Sequence, residues 1–229
     1  MNALDPQVGN LYYSVRRYFV DEFYFRHVRK IPASSRVLDL GGTKIQKRGQ
    51  FNINCYDLQV VYVNISPAKQ PDVVADAAAL PFEDACFDVV ICSELLEHVP
   101  NPSSVLCEAN RVLRDGGIIL ICVPFMYRIH GDPDDYGRYT DYFWQCALKE
   151  VGFDDIAIER QGLFFSVLAD FLKQYVGGVG VPRPFGRVTV WLLAKYQRWA
   201  MNYEQQPQIK AHSFLRSFTT GFGIVAVKK

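Results

Sequence analysis

The sequence predicts a doubly wound α/β domain, and three observations carry that expectation. Short apolar runs rich in β-branched residues recur at 37–40, 60–65, 73–75, 87–92 and 118–123. They are continuous rather than alternating, which suits strands covered on both faces of a parallel sheet. Helical periods with capping residues lie among them, and the first run breaks at Gly41-Gly42, the kind of turn that lets backbone approach a ligand at the carboxyl edge of an open sheet. Strand–helix alternation along a chain of one domain's length gives the doubly wound class.

The elements follow in order. Residues 11–31 carry Tyr12, Tyr13, Phe19, Phe23 and Phe25 at a helical period among basic and acidic residues, and Pro32 with Ser34 and Ser35 interrupts it. Residues 1–34 therefore read as an N-terminal helix and linker. Asn101-Pro102 opens a second helix whose Leu106, Ala109, Val112 and Leu113 share a face and which Asp115-Gly116-Gly117 should close. Thr140 caps a third helix over 141–151 with Gly152 after it, and 156–158 and 222–227 read as the final strands. A helical insert or cap is expected over 163–205, broken at 177–182 by Gly177, Gly178, Gly180 and Pro182, a hinge suited to a lid.

Composition narrows the function. With 229 residues, 49% of them hydrophobic and 21% charged, the chain reads as one folded domain, not a disordered one. Twenty-five basic residues against 24 acidic leave a net charge of +1, far from the balance of a dedicated nucleic-acid binder. The six cysteines occur singly, without CxxC spacing, as expected of reduced thiols in a cytoplasmic protein. No signal-peptide pattern or spanning run is read. No close cluster of His and carboxylate at metal spacing is visible, so no metal is expected. The sequence leaves the oligomeric state open.

At the strand ends, Asp39, Gly41, Gly42 and Thr43 form the first turn, and Asn64 follows 23 positions after Gly41, where a nucleoside would present its ribose hydroxyls. Asp76 and Ala77 end the third run, offering a carboxylate and backbone amides suited to an adenine edge. A tight turn with no ligand is the plain alternative for the glycine pair. The stretches Asp76-Ala77-Ala78-Ala79-Leu80-Pro81-Phe82, Ser93-Glu94-Leu95-Leu96-Glu97-His98-Val99 and Arg111-Val112-Leu113-Arg114-Asp115-Gly116-Gly117 then follow in order. Over about residues 36–160 the chain resembles the class I S-adenosylmethionine-dependent methyltransferases, in the branch grouped with quinone-biosynthesis enzymes. That resemblance implies a seven-stranded, mostly parallel sheet with its last strand antiparallel, and S-adenosylmethionine as cofactor. It places Asp39 and Gly41 near the methionine amino end, Asn64 at the ribose, Asp76 and Ala77 at the adenine, and Ser93 backbone at the methionine. The chain departs from the family twice: the usual Gly-x-Gly reads Gly41-Gly42-Thr43, and Asn64 replaces an acidic residue. A charge-assisted bond is about twice as strong as a neutral one, so Asn64→Asp is expected to strengthen binding.

Beyond the fifth run, 124–140 is dense in titratable groups and resembles a loop of bacterial methyltransferases associated with surface-glycan or secondary-metabolite pathways. His130 is the first candidate base, with Asp135 orienting its ring, Tyr136 shaping the acceptor site and Arg138 clamping an acidic group. His98 is the second candidate base. The bland alternatives are a self-satisfied turn in which Arg138 pairs with Asp134 or Asp135, and a structural His98. Residues 171–203 hold five basic residues (Lys173, Arg183, Arg187, Lys195, Arg198) and no acidic one, with Trp191, Leu192, Tyr196 and Trp199 at helical spacing. This is the composition either of a cap over the acceptor pocket or of a helix in peripheral contact with the inner membrane face. The expected function is methyl transfer to a small-molecule or glycan-like acceptor, with oxygen as the accepting atom. A non-catalytic module binding through the basic insert is the alternative. A nicotinamide oxidoreductase is disfavoured because G-x-G-x-x-G and Tyr-x-x-x-Lys are absent.

Overall fold

A computed structural model describes residues 13–45, 49–131, 133–180 and 186–229. Seven strands form one sheet: β1 (Arg36–Leu40), β2 (Gln59–Asn64), β3 (Val73–Val74), β4 (Phe87–Ser93), β5 (Leu113–Pro124), β6 (Phe153–Gln161) and β7 (Gly221–Lys228). Their spatial order is β3-β2-β1-β4-β5-β7-β6. The first five pair in parallel, and β7 runs antiparallel to both β5 and β6. This is the Rossmann-like arrangement expected from the sequence. Strand order reverses between β1 and β4, which opens a crevice at their carboxyl ends.

Alternate residues of the central strands feed two cores. Leu38, Leu40, Val90, Cys92, Ile119 and Ile121 pack on one side with α2 (Pro102–Val112) and α3 (Asp141–Glu150). Val37, Val89, Ile91, Leu120 and Cys122 pack on the other with Val20, Phe23, Tyr24 and Val28 of α1 (Val15–Val28). Both faces being covered explains why these strands read as unbroken apolar runs.

The caps fall where side-chain chemistry places them. Ser14 accepts from Arg17 N at 3.0 Å to start α1, and Asn101 accepts from Ser103 N at 3.2 Å with Pro102 in the first turn of α2. Residues 11 and 12 of the expected first helix lie outside the described residues. Asp115-Gly116-Gly117 does not close α2, which ends at Val112. Leu113 is already extended and pairs with Phe87, and the ladder resumes at Ile118 opposite Val89. Residues 114–117 bulge between those two pairings, with Gly116 at φ +75°. The sixth strand is longer than the run at 156–158 because its flanking residues are polar, and its register shifts between Asp154 and Ala157 where Asp155 takes φ +46°.

The insert is two helices, α4 (Phe164–Val179) and α5 (Gly186–Tyr203), before a short α6 (Pro207–Ala211). The hinge residues 181 and 182 lie outside the described residues. The buried Glu204 carboxylate caps α4 by accepting from Leu163 N and Ser166 N, both at 2.9 Å, as α4 has no N-cap side chain of its own. Asp170 accepts from Val15 N at 2.8 Å, and Lys173 donates to Tyr13 O at 2.6 Å and to Gln197 at 3.2 Å. The insert therefore docks on the start of α1. Lys173, one of the five cations in the basic segment, is only 4% exposed.

Arg16 is buried at 2% exposure, donating to Glu94 at the end of β4 at 2.6 Å and to Gln161 at the end of β6. Removing one partner of such a pair leaves a buried charge uncompensated. Arg16→Ala should therefore cost about 3–5 kcal/mol of stability, measured by urea unfolding.

Candidate active site

A cavity of about 800 Å³ lies at the carboxyl ends of β1, β2 and β4. Asp39, Gly41, Gly42, Thr43, Asn64, Asp76, Ala77 and Ser93 all line it. The glycines are required by space as well as by conformation. Gly41 holds φ +75°, and a Cβ at Gly42 would lie 2.5 Å from the Asp39 carboxylate. Asp76 is exposed at the cavity, its carboxylate accepting from Ala78 N at 2.9 Å, with Ala77 buried beside it.

The two departures from the family pattern have local work in this fold. The Asn64 amide donates to Gly41 O at 2.8 Å and Gly42 O at 3.1 Å, while its oxygen accepts from Ser66 N at 2.9 Å. The Thr43 hydroxyl donates to Ile45 O at 2.7 Å or Lys69 O at 3.1 Å. Sequence reasoning missed the contribution of α1: Arg17, Val20, Asp21 and Tyr24 also line the cavity. Their spacing is that of one helix face, a signal present in the sequence. Asp21 accepts from Tyr13 OH at 2.8 Å and Gln50 N at 2.6 Å, and burial raises its pKa despite these bonds.

After β4 the chain turns sharply. Glu94 takes the left-handed conformation, φ +51°, and donates its backbone N–H to Cys122 O at 2.8 Å. Burial opposes its charge, yet the Arg16 guanidinium holds the Glu94 carboxyl below the usual range. One turn of 3-10 helix, Leu96–His98, then presents Glu97 and His98. Glu97 is 2% exposed and neither carboxylate oxygen has a hydrogen-bond partner. Burial, reinforced by the neighbouring Glu94, pushes its pKa up to about 8.

His98 Nδ1 lies 2.6 Å from Asp134 O and its Nε2 is 3.6 Å from Glu97. The His130 ring stands edge-on to that of His98, centroids 5.0 Å apart, and burial lowers its pKa. Asp135 accepts from the His130 backbone N at 2.8 Å and lies 3.5 Å from its Nδ1. Arg138 pairs with both Asp135 oxygens, one at 2.7 Å, and with Gly137 O at 2.8 Å; its hydrogen bonds hold the Asp135 pKa at about 2. Arg138 is thus committed to closing its own loop. Tyr136 donates its backbone N–H to Glu97 O at 2.7 Å, and its exposed hydroxyl faces Asp134 at 3.3 Å.

His98 and Tyr136 line the cavity, whereas His130, Asp135 and Arg138 stand behind them. The fold corrects the expectation that no His and carboxylate cluster exists: donor atoms of Glu97, His98 and His130 all lie within 4.8 Å of one another. The sequence hid this because His130 arrives from a separate loop. An acid beside His98 among Leu95, Leu96 and Val99 was the available hint. Among the described residues, none that lines the cavity comes from 163–205.

Residues 22–121 match the family model described as "Methyltransferase domain". The matched segment is similar to the methyltransferase domains of that family. The chain is 35% identical over 112 residues to a demethylmenaquinone methyltransferase of Mycobacterium bovis, covering 44% of this chain and 47% of that protein. It is 32% identical over 101 residues to a sarcosine/dimethylglycine N-methyltransferase of Halorhodospira halochloris, covering 38% of this chain and 35% of that protein. The matches thus span between a third and a half of these curated relatives. In fold, the chain is similar to phosphoethanolamine N-methyltransferase 2 of Haemonchus contortus, solved with S-adenosylhomocysteine. The TM-score is 0.57 at 17% identity, over 91% of this chain and 52% of that one.

The bonding of Asn64 reverses the expectation for Asn64→Asp. A carboxylate cannot donate to Gly41 O and Gly42 O and would place its charge against two carbonyls. The variant should lose about 1–3 kcal/mol of stability, read by thermal or urea unfolding, and should bind nucleoside ligands more weakly by calorimetry.

Proposed function

We propose that the protein transfers a methyl group from S-adenosylmethionine to a small-molecule or glycan-like acceptor, with oxygen as the accepting atom. The observation that carries this reading is the joining of two surfaces in one cavity. The Gly41-Gly42 turn and Asp76-Ala77 form a nucleoside-sized edge, and His98 and Tyr136 line the same space. Asp39 and Gly41 would face the methionine amino end, Ser93 would offer its own backbone to the methionine, and Asp76 and Ala77 would meet the adenine. His98, which lines the cavity, and His130, whose ring packs against it, are the candidate proton acceptors, and Asp135 with Arg138 positions the His130 segment. An oxygen acceptor fits imidazoles at that place, because a hydroxyl must lose its proton as it is methylated. The relatives named above include an N-methyltransferase, so the accepting atom is the finer part of this reading.

Calorimetry with S-adenosylmethionine and S-adenosylhomocysteine tests it. Both should bind, and Asp76→Ala should weaken both by about 1–3 kcal/mol, the cost of removing a hydrogen-bonding partner. Absence of binding at millimolar ligand would refute the reading and leave a non-catalytic module in its place.

A second observation concerns where the protein works. Helices α4 and α5 leave Phe171, Tyr175, Val179, Val188, Trp191 and Leu192 exposed. Lys195 Nζ lies 5.3 Å from the Trp191 ring centroid, Arg198 is exposed, and 171–203 contains no acidic residue. No described helix is long and apolar enough to cross a membrane. We propose that this face contacts an anionic membrane surface peripherally. Vesicles containing phosphatidylserine should retain the protein more than the Lys195→Gln/Arg198→Gln variant at low salt. The difference should vanish at high salt, whereas the deficit of Trp191→Gln should persist. Equal sedimentation of all three proteins would remove the proposal.

A further inference from the structure

We propose that Glu97, His98 and His130 bind a divalent transition-metal ion at the edge of the cavity. Two independent features point there. First, Glu97 brings a carboxylate into the interior with both oxygens unpaired. Buried polar groups without partners are rare in folded proteins, and a buried carboxylate is tolerated chiefly when it is paired or coordinates a metal. Arg16 and Arg138 act on it only through their charges, their described hydrogen bonds going to Glu94, Gln161, Asp135, His130 and backbone carbonyls.

Second, two histidines converge on that carboxylate, and His98 is held as metal ligands usually are. His98 Nδ1 faces Asp134 O at 2.6 Å and His130 Nδ1 faces Arg128 O at 3.2 Å. A carbonyl can only accept, so His98 Nδ1 carries the proton and its Nε2 keeps its lone pair, the arrangement by which an outer shell fixes the tautomer of a ligating imidazole, whereas His130 Nδ1 also faces the Arg138 guanidinium at 3.4 Å. Asp135 adds a second level of support through the His130 backbone, with Arg138 holding Asp135 in turn. A metal at about 2.0–2.2 Å from nitrogen and oxygen donors needs those donors about 3.2–3.6 Å apart in tetrahedral geometry. Glu97 and His98 Nε2 are already at 3.6 Å, and the full set spans no more than 4.8 Å.

Two imidazoles and one carboxylate suit zinc, iron, cobalt or manganese in the divalent state, and three protein ligands leave a position open. That position adjoins the cavity, because His98 is one of its lining residues. Resting on the methyl-transfer reading, the ion would take an acceptor hydroxyl there and lower its pKa, the proton passing to solvent, so that with metal bound the ion takes over the task given above to an imidazole base. The metal site itself does not depend on that reading.

Tag-free protein stripped with EDTA and titrated with Co²⁺ tests the site, read by visible absorption and by the thermal unfolding midpoint. One Co²⁺ per chain should bind, with d–d bands of nitrogen and oxygen ligation, no thiolate charge-transfer band, and a raised midpoint. Glu97→Gln and His130→Ala should each weaken binding by at least the roughly 10–100-fold that loss of an outer-shell partner costs, and should abolish the rise in midpoint. The His130 side chain is 21% exposed, so His130→Ala keeps the test intact if Glu97→Gln fails to fold. No stoichiometric Co²⁺ binding by the wild type, or equal binding by His130→Ala, would overturn the proposal. Co²⁺ binding without S-adenosylhomocysteine binding would overturn the methyl-transfer reading alone, and the reverse result the metal site alone.

Discussion

The ion pair between Arg16 and Glu94 is the constraint on which the geometry of the site depends. Glu94 sits in a left-handed conformation that a non-glycine residue adopts at a cost of order 1–3 kcal/mol. Its carboxylate is held by an arginine that is itself buried, so the pair cannot relax into water. The same arginine reaches Gln161 at the end of β6, and one guanidinium therefore fixes α1 against two strand ends on either side of β5 and β7. A buried ion pair is weak evidence of net stabilisation, since apolar replacements often do as well. What an apolar replacement could not supply is direction: the strained turn aims the next four residues, and Glu97 and His98 lie where that turn leaves them.

The nucleoside edge obeys a different logic, in which the backbone does the binding and side chains hold the backbone. Gly42 must be glycine because the Asp39 carboxylate occupies the space a Cβ would need. Asn64 bridges the carbonyls of Gly41 and Gly42 from the end of β2. Donor capacity rather than charge is what position 64 supplies here. A family comparison that scores asparagine as a weakened acid misreads it, because the relevant question is which groups face the side chain within its own turn.

Much of the fold was legible because its information is local. Buried parallel strands read as continuous apolar runs, and Asn101-Pro102 and Thr140 announce helix starts through chemistry within one turn of the chain. The β1 turn and Asp76 could be placed at the sheet edge for the same reason. What stayed hidden depends on contacts between distant segments. Asp115-Gly116-Gly117 looks like a helix stop until Leu113 is seen to pair with Phe87, and Lys173 looks like a surface cation until Tyr13 O is brought to it. The meeting of His130 with Glu97 and His98 belongs to that second class. The separate histidines were visible as candidates, but their convergence on an unpaired carboxylate is a property of the fold.

Helix α1 joins these parts mechanically. Its first turn receives the insert, through Val15 N on Asp170 and Tyr13 O on Lys173, just outside the helix. Arg16 then anchors Glu94, and Arg17, Val20, Asp21 and Tyr24 turn the next face of the same helix toward the cavity. Among the described residues none of the insert lines the cavity, so the insert meets the site's elements through its contacts with α1. A rigid helix pinned by a buried charge transmits displacement with little loss, because close-packed interiors compress poorly. The helix therefore touches the insert, the nucleoside edge and the Glu94 turn together.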